Sequence, residues 1–360
     1  MSSLVSFPIS PHRWTRAKPP SAWGGVAAFT GSYAVAGPLL AGRAGQRSRQ
    51  SLIVSLLVFT VANLVTALSP TVSVFLGARV VAGAAVGVYS PLSSAVAAEV
   101  AGKGRRGRAL ALVLAGLAIG TVFGVPVGLA LAQHWGWRAA IVLIVVVGGA
   151  SLAGIALRGE ELPAIPASGA GDRLRSIARP KNLLTVTVTL LTGVASLGLY
   201  TYMTVILSAG TLAAHQMLAI WVWGIGGAVG ALGIGRLVDR LNPLRLSVII
   251  LVGLVCALLG MAQGQTVWIV LTSLFIWGMC GWASLTPQQH ILLQTNPADG
   301  ATAVAANASA NYLGSALGAT FGSLLVAAQA TPAVLCGSAA ATAALALICQ
   351  LIRQRMSTTK

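Results

Sequence analysis

Gly42-Arg43-Ala44-Gly45-Gln46-Arg47 and Gly235-Arg236-Leu237-Val238-Asp239-Arg240 are two versions of one six-residue pattern. Each closes an apolar stretch, and each follows a further glycine at the same distance, Gly37 or Gly230. The offset from Gly42 to Gly235 is 193 residues, and six apolar segments of membrane-spanning length fit between the copies. In a membrane chain, a repeat of that period means two similar helical bundles in tandem.

Composition fixes the class. Hydrophobic residues make up 56% of the 360, charged residues only 8%, and the mean hydropathy is +0.85. A soluble domain carries about 25% charged residues. Apolar runs near the ~20 residues that cross a bilayer recur throughout, and no strand-like alternation is sustained. The 42 glycines suit helices that pack closely in lipid. The expected fold is an all-α polytopic membrane protein of about eleven spans: 22–42, 51–68, 72–98, 108–132, 137–157, 183–206, 216–236, 246–263, 266–290, 301–327 and 331–352.

The net charge of +17 raises the question of a nucleic-acid partner, and its distribution answers it. Basic residues cluster in alternate loops: Arg43, Arg47 and Arg49; Lys103, Arg105, Arg106 and Arg108; Arg158 to Lys181; Arg236, Arg240 and Arg245; and the C-terminal Arg353, Arg355 and Lys360. In the intervening loops Arg138 is the one basic residue. This is the positive-inside pattern. It places the basic loops and the C-terminus in the cytoplasm and argues against nucleic acid. The expected location is a bacterial-type inner membrane, with lipid as a partner. Cys256, Cys280, Cys336 and Cys349 lie inside apolar spans without ligand spacing and read as packing residues. No phosphate loop, metal-binding motif or catalytic triad order is present, so neither enzyme activity, cofactor nor metal is expected.

Residues 1–21 form an expected non-membrane segment, holding four prolines and three basic residues and no signal-peptide core. The loop pattern would export this basic segment, against the rule that orients everything else. One helix upstream would resolve the conflict. A missing first helix is therefore expected, through a late start site or a truncated gene; a true eleven-span chain is the other option. Residues 158–182 are charged and proline-containing and read as a cytoplasmic linker. It separates an N-terminal bundle of five spans (22–157) from a C-terminal bundle of six (183–352), with a tail at 353–360.

These stretches, with several others in order, resemble the major facilitator superfamily, within it the drug:proton antiporter and sugar-efflux branch. The chain GRLVDRLNPLR from Gly235 fits the family's loop signature; the first copy has Gln46 where the family has Asp. Arg79-Val-Val-Ala-Gly83 matches R-x-x-x-G, and Gly120, Gly124, Pro126 and Gly128 match G-x-x-x-G-x-P-x-G. WGWR (Trp135 to Arg138) opens the next span, as in relatives. FIWGMCGWASLTPQQH and NASANYLGSALGA resemble sugar- and purine-nucleoside-efflux members. The resemblance implies two pseudo-twofold bundles, alternating access, export of a small organic molecule, proton antiport and a monomer. A truncated, inactive member is the alternative.

The residues themselves suggest roles. Gly42 and Gly235 would let helices approach at span ends. Asp239 can face a helix N-terminus or pair with an arginine, as a latch, while Gln46 lacks the charge. Arg43, Arg47, Arg236 and Arg240 complete this motif or serve only topology. Gly120, Gly124 and Gly128 share one face, with Pro126 bending the helix; relatives pack this face between the bundles, and plain helix packing is the alternative. Arg79 lies about 10 Å inside its span. It faces a cavity, where relatives link it to proton transfer, or snorkels outward. No Asp or Glu lies within a span. His290 is the one histidine at a basic-side span end and reads as titratable or as a hydrogen-bonded interface residue. Tyr200, Tyr202, Trp277, Trp282, Gln288, Gln289, Asn307 and Asn311 are the cavity candidates. They suit a ring-bearing or hydroxylated neutral molecule, with interhelical packing as the alternative. Gly314, Gly318 and Gly322 read as a packing ridge displaced from the asparagine face.

Overall fold

The computed structural model describes residues 21–102, 104–157, 162–165, 175, 178–264, 266–296 and 300–358. Among them the chain forms eleven helical rods. These are α1 (Ser21–Gly45), α2 (Ser48–Leu68), α3 (Val72–Ala101), α4 (Arg106–Ile119 continuing to Val125–Trp135), α5 (Trp137–Leu157), α6 (Pro180–Gly193 continuing to Met203–Ser208), α7 (Ala213–Arg240), α8 (Pro243–Gln263), α9 (Val267–Ala283 continuing through Leu285–Thr295), α10 (Gly300–Ala327) and α11 (Pro332–Thr358). Eight are long and apolar enough to cross a membrane on length and composition. The expected segment 1–21 lies almost wholly outside the described residues, and so does most of the linker.

Local chemistry sets the ends. Thr71 caps α3, accepting from the Val74 amide at 3.3 Å. Asn242 caps α8, accepting from the Leu244 amide at 2.9 Å, with Pro243 in the first turn. Arg138, in the short WGWR turn, donates to the Ala67 and Ser69 carbonyls at 2.8 and 3.1 Å and ties the start of α5 to the end of α2.

Three rods carry internal irregularities. Residues Gly120–Gly124 of α4 and Val194–Gly198 of α6 form π turns. α9 breaks at Ser284. Pro126 and Pro287 explain two of these. Each lacks an amide hydrogen and crowds the carbonyl four residues back, which falls inside the π turn in one case and beside the break in the other. Gly235 does not end its helix as expected: α7 continues to Arg240, because its glycines pack inside the bundle and leave the helix intact.

Packing repeats between the halves. α3 packs on α1 and α2, and α9 packs on α7 and α8; α2 packs on α5, and α8 on α11. Between the halves, α4 meets α7 and α1 meets α10. These two seams exchange under the same correspondence, so the halves are related by a pseudo-twofold. α6 packs on α10 and α11 and has no counterpart among the described residues of the first half. The second-half core centres on Leu254, Leu258, Leu274 and Trp277, each fully buried.

A candidate gate between the two halves

Asp239 lies at the end of α7 where the basic loops gather, and its side chain is only 2% exposed. Its carboxylate accepts hydrogen bonds from the amides of Gly107 at 2.6 Å and Arg108 at 3.1 Å, in the first turn of α4. Arg108 Nε lies 3.7 Å from the same carboxylate. Both partners foreseen for Asp239, a helix N-terminus and an arginine, are thus supplied by one segment. Unpaired amides at a helix start carry partial positive charge, so a carboxylate there satisfies donors and dipole together. Two glycines make the approach possible. A Cβ on Gly107 would lie 2.7 Å from Asp239 Oδ1 and 2.8 Å from the Gly235 carbonyl oxygen; one on Gly235 would lie 2.8 Å from Arg108 Cα. The sequence pointed to Gly235 and missed Gly107 and Arg108, which open α4 directly after a basic loop that reads as purely topogenic. Arg236 and Arg240 are exposed.

The first copy is arranged differently. Gln46 and Arg47 lie exposed in the turn between α1 and α2. The surroundings of Gly42 and the side chain of Arg43 lie outside what is described. Here the linker takes the contact. Ile165 donates its amide to the Gly45 carbonyl at 2.8 Å and buries its side chain among Leu52, Leu92, Ala95 and Val96.

The α1–α10 seam is closed further along. Tyr33 and Tyr312 face each other with ring centroids 4.4 Å apart. Ser309 Oγ donates to the Ala34 carbonyl at 2.9 Å. Neither tyrosine stood out in the sequence, because the pairing joins residues 279 apart (33 and 312). Arg79 is half-buried, and its guanidinium lies 4.5 Å from the Phe29 ring centre, against α1.

The expected interbundle face of α4 is not placed between the halves. Among the described residues, a Cβ on Gly120 or Gly124 would meet nothing within 4 Å, and one on Gly128 would meet Ala140 at 3.9 Å. The Pro126 side chain lies outside the described residues. Contact with α7 comes instead through Gly107 and Ala111 in the first turns of α4 and through Phe123, whose ring lies 6.1 Å from Trp221.

The eight cavity candidates do not converge on one point. Tyr200 stacks on Trp223 at 4.3 Å, and Trp223 meets Trp277 edge-on at 6.1 Å. Trp277 Nε1 donates to Ser196 Oγ at 3.0 Å, so this group is a buried aromatic core. Tyr202 instead donates to the Ala319 carbonyl. Gln288 Nε2 donates to Gln350 Oε1 at 3.2 Å, inside the second half. Asn307 Oδ1 accepts from Thr189 Oγ1 at 2.6 Å, and Asn311 lies against Gly193. The glycine ridge is not displaced from these asparagines: Gly314, Gly318 and Gly322 meet Leu190, Val194 and Tyr202, so all five positions face α6. A spacing of 4, 3, 4 and 4 residues from 307 keeps one helix face in register. Polar atoms remain open along the interior: Trp282 Nε1, Thr286 Oγ1, Gln289 Oε1, His290 Nδ1 and Asn307 Nδ2 are buried without a hydrogen-bond partner.

Comparison with known proteins completes the picture. The chain is 26% identical over 315 residues to the inner membrane transport protein YdhP of Escherichia coli K12, covering 84% of this chain and 79% of that protein. It is 30% identical over 212 residues to the chloramphenicol efflux pump MT0201 of Mycobacterium tuberculosis CDC 1551, covering 56% of this chain and 50% of that one. Its fold matches that of the transporter FucP in the outward conformation, with a TM-score of 0.76 at 14% identity, over 96% of this chain and 93% of that chain. The family profile of the Major Facilitator Superfamily matches residues 20–319. With two pseudo-twofold bundles meeting at two exchanged seams, and a profile match over most of its length, this chain belongs to the Major Facilitator Superfamily.

Proposed function

We propose that this transporter exports a small, neutral organic molecule across the inner membrane by alternating access, in antiport with protons. The observation that carries the reading is the Asp239 contact. It joins the two halves at the basic end through charge-assisted bonds that can break and reform as one half rocks against the other. Breaking them opens the α4–α7 seam to the cytoplasm; making them favours the outward-facing state. The mycobacterial efflux pump among its relatives supports export, and the uncharged open polar atoms along α9 and α10 support a drug, sugar or nucleoside. The positive-inside pattern supports a cytoplasmic C-terminus.

A second reading has its own observation. The α4 ridge of Gly120, Gly124 and Gly128 repeats the spacing of Gly314, Gly318 and Gly322 in α10. In α10 the ridge is covered by α6, whereas Gly120 and Gly124 face open space. A further helix, equivalent to α6, would fit this bare ridge. On this reading the α4 ridge serves helix packing alone, as the α10 ridge does.

Asp239→Asn tests the gate. Hydrogen bonds to a charged group contribute about 1.5–3 kcal/mol, so export should fall roughly tenfold while membrane insertion stays normal. Efflux measured in a pump-deleted host with unchanged kinetics would remove the latch from the mechanism.

A further inference from the structure

His290 is buried at 7% exposure near the gate, in the last part of α9, and the gate as described makes no use of it. This segment, Leu285–Thr295, packs against α4, α6, α7, α8 and α10 and therefore touches both halves. The charged groups that act on it electrostatically are Asp239 of α7 and, more weakly, Arg106 of α4. α10 carries one titratable group, Tyr312, which packs on Tyr33 in the other seam; α8 and α6 each contribute one basic residue, Arg245 and Lys181. Arg106 is itself paired with Glu99 at 3.0 Å.

The two ring nitrogens differ. Nε2 lies 2.8 Å from the amide nitrogen of Gln294, an exposed side chain that can turn either end toward it. Nδ1 is buried with no hydrogen-bond partner among the described residues. A neutral imidazole can keep its single proton on Nε2 and leave Nδ1 a bare lone pair. An imidazolium must carry a proton on both nitrogens. In the closed seam the Nδ1 proton then has no acceptor among the described residues, while Asp239 is already engaged by two amides and Arg108.

We propose that His290 is a cytoplasmic proton sensor for the gate: protonation of its ring opens the α4–α7 seam to the cytoplasm. The inference rests on the gate reading and extends it to regulation. Opening the seam wets Nδ1 and gives its proton water as acceptor, so the charged ring belongs to the open state. By linkage the closed state holds above the histidine titration and is lost as cytoplasmic pH falls through it. A histidine in water titrates near ~6.5, so a cytoplasm acidified below that value would present the inward-facing site more often.

The test uses Val238→Cys as reporter in the full chain with the four native cysteines replaced. Val238 is 2% exposed and packs against Gly107 in the closed seam. Maleimide labelling is followed in inside-out vesicles between about pH 5.5 and 7.5, with no substrate and no gradient. Each rate is divided by that of His290→Gln at the same pH, which cancels the thiol's own titration. The ratio should rise several-fold on acidification, and His290→Asn should behave like His290→Gln. A flat ratio overturns the proposal, as does an equal rise in His290→Asn. Asp239→Asn separates this outcome from failure of the gate itself. It should label quickly at both pH values; labelling no faster than in the parent overturns the gate reading and the sensor with it.

Discussion

The contact between Asp239 and the start of α4 depends as much on a missing side chain as on a charge. Gly107 leaves room for both the carboxylate and the Gly235 backbone. Gly107→Ala keeps every charge in place yet sets a methyl carbon 2.7–2.9 Å from Asp239 Oδ1, the Gly235 oxygen and Val238 Cγ1. Overpacking of this kind costs about 1–3 kcal/mol. We expect Gly107→Ala to reproduce the export loss of Asp239→Asn, and Gly77→Ala, which meets nothing within 4 Å, to be silent in the same efflux assay. At this scale the sequence was half legible. Duplication exposed Gly235 and Asp239, because both copies sit at span ends. Gly107 and Arg108 lie some 130 residues away in a basic loop, and nothing local marks them as a partner. Asn307 stood out as a cavity candidate with interhelical packing as the alternative, but its partner Thr189 could be named only from coordinates.

At the scale of single helices, spans were legible and their defects were not. Hydropathy located each of the eleven rods to within a few residues, since a lipid-crossing run is a strong signal. The π turns of α4 and α6 and the break at Ser284 change hydrogen-bond register without changing composition. Pro126 hinted at one of them; Pro287 beside the α9 break was not read that way, and the α6 turn has no proline at all. The paired glycine ridges of α4 and α10 invite a direct comparison. A side chain on Gly318 would run into Val194 O at 2.5 Å and Gly198 Cα at 2.8 Å, whereas Gly124 faces open space. Gly318→Leu should lower the melting temperature in detergent by several degrees, while Gly124→Leu in the 360-residue chain should not. Equal loss in both would show that something already occupies the α4 ridge.

For the whole molecule, the pseudo-twofold followed from one repeated hexapeptide, but the seams that serve it did not. Only three-dimensional pairing shows that α4 meets α7 and α1 meets α10. The second half is also fastened internally at its basic end. Asn182 Nδ2 donates to Asn296 Oδ1 at 2.8 Å, and Arg353 Nε donates to the Lys181 carbonyl at 2.8 Å, which ties α6 to α9 and α11. Motion is thereby directed to the seams. Replacing Tyr33 and Tyr312 together by cysteine and oxidising the pair should halt export, and a reductant should restore it. Continued export with the cross-link verified by gel shift would mean that α1 and α10 do not part during the cycle.

The unequal ends of the duplicated motif carry one more consequence. A carboxylate bolts α7 to α4, yet at the twofold-related corner Gln46 stands in solvent and a strand of linker seals the first half against itself. A clasp fastened at one corner does not give way all at once. The unbolted corner beside α10 yields first and cheaply, and the ionic corner holds the closed state, so added salt should quicken inward opening and move the balance of states toward it by a similar factor.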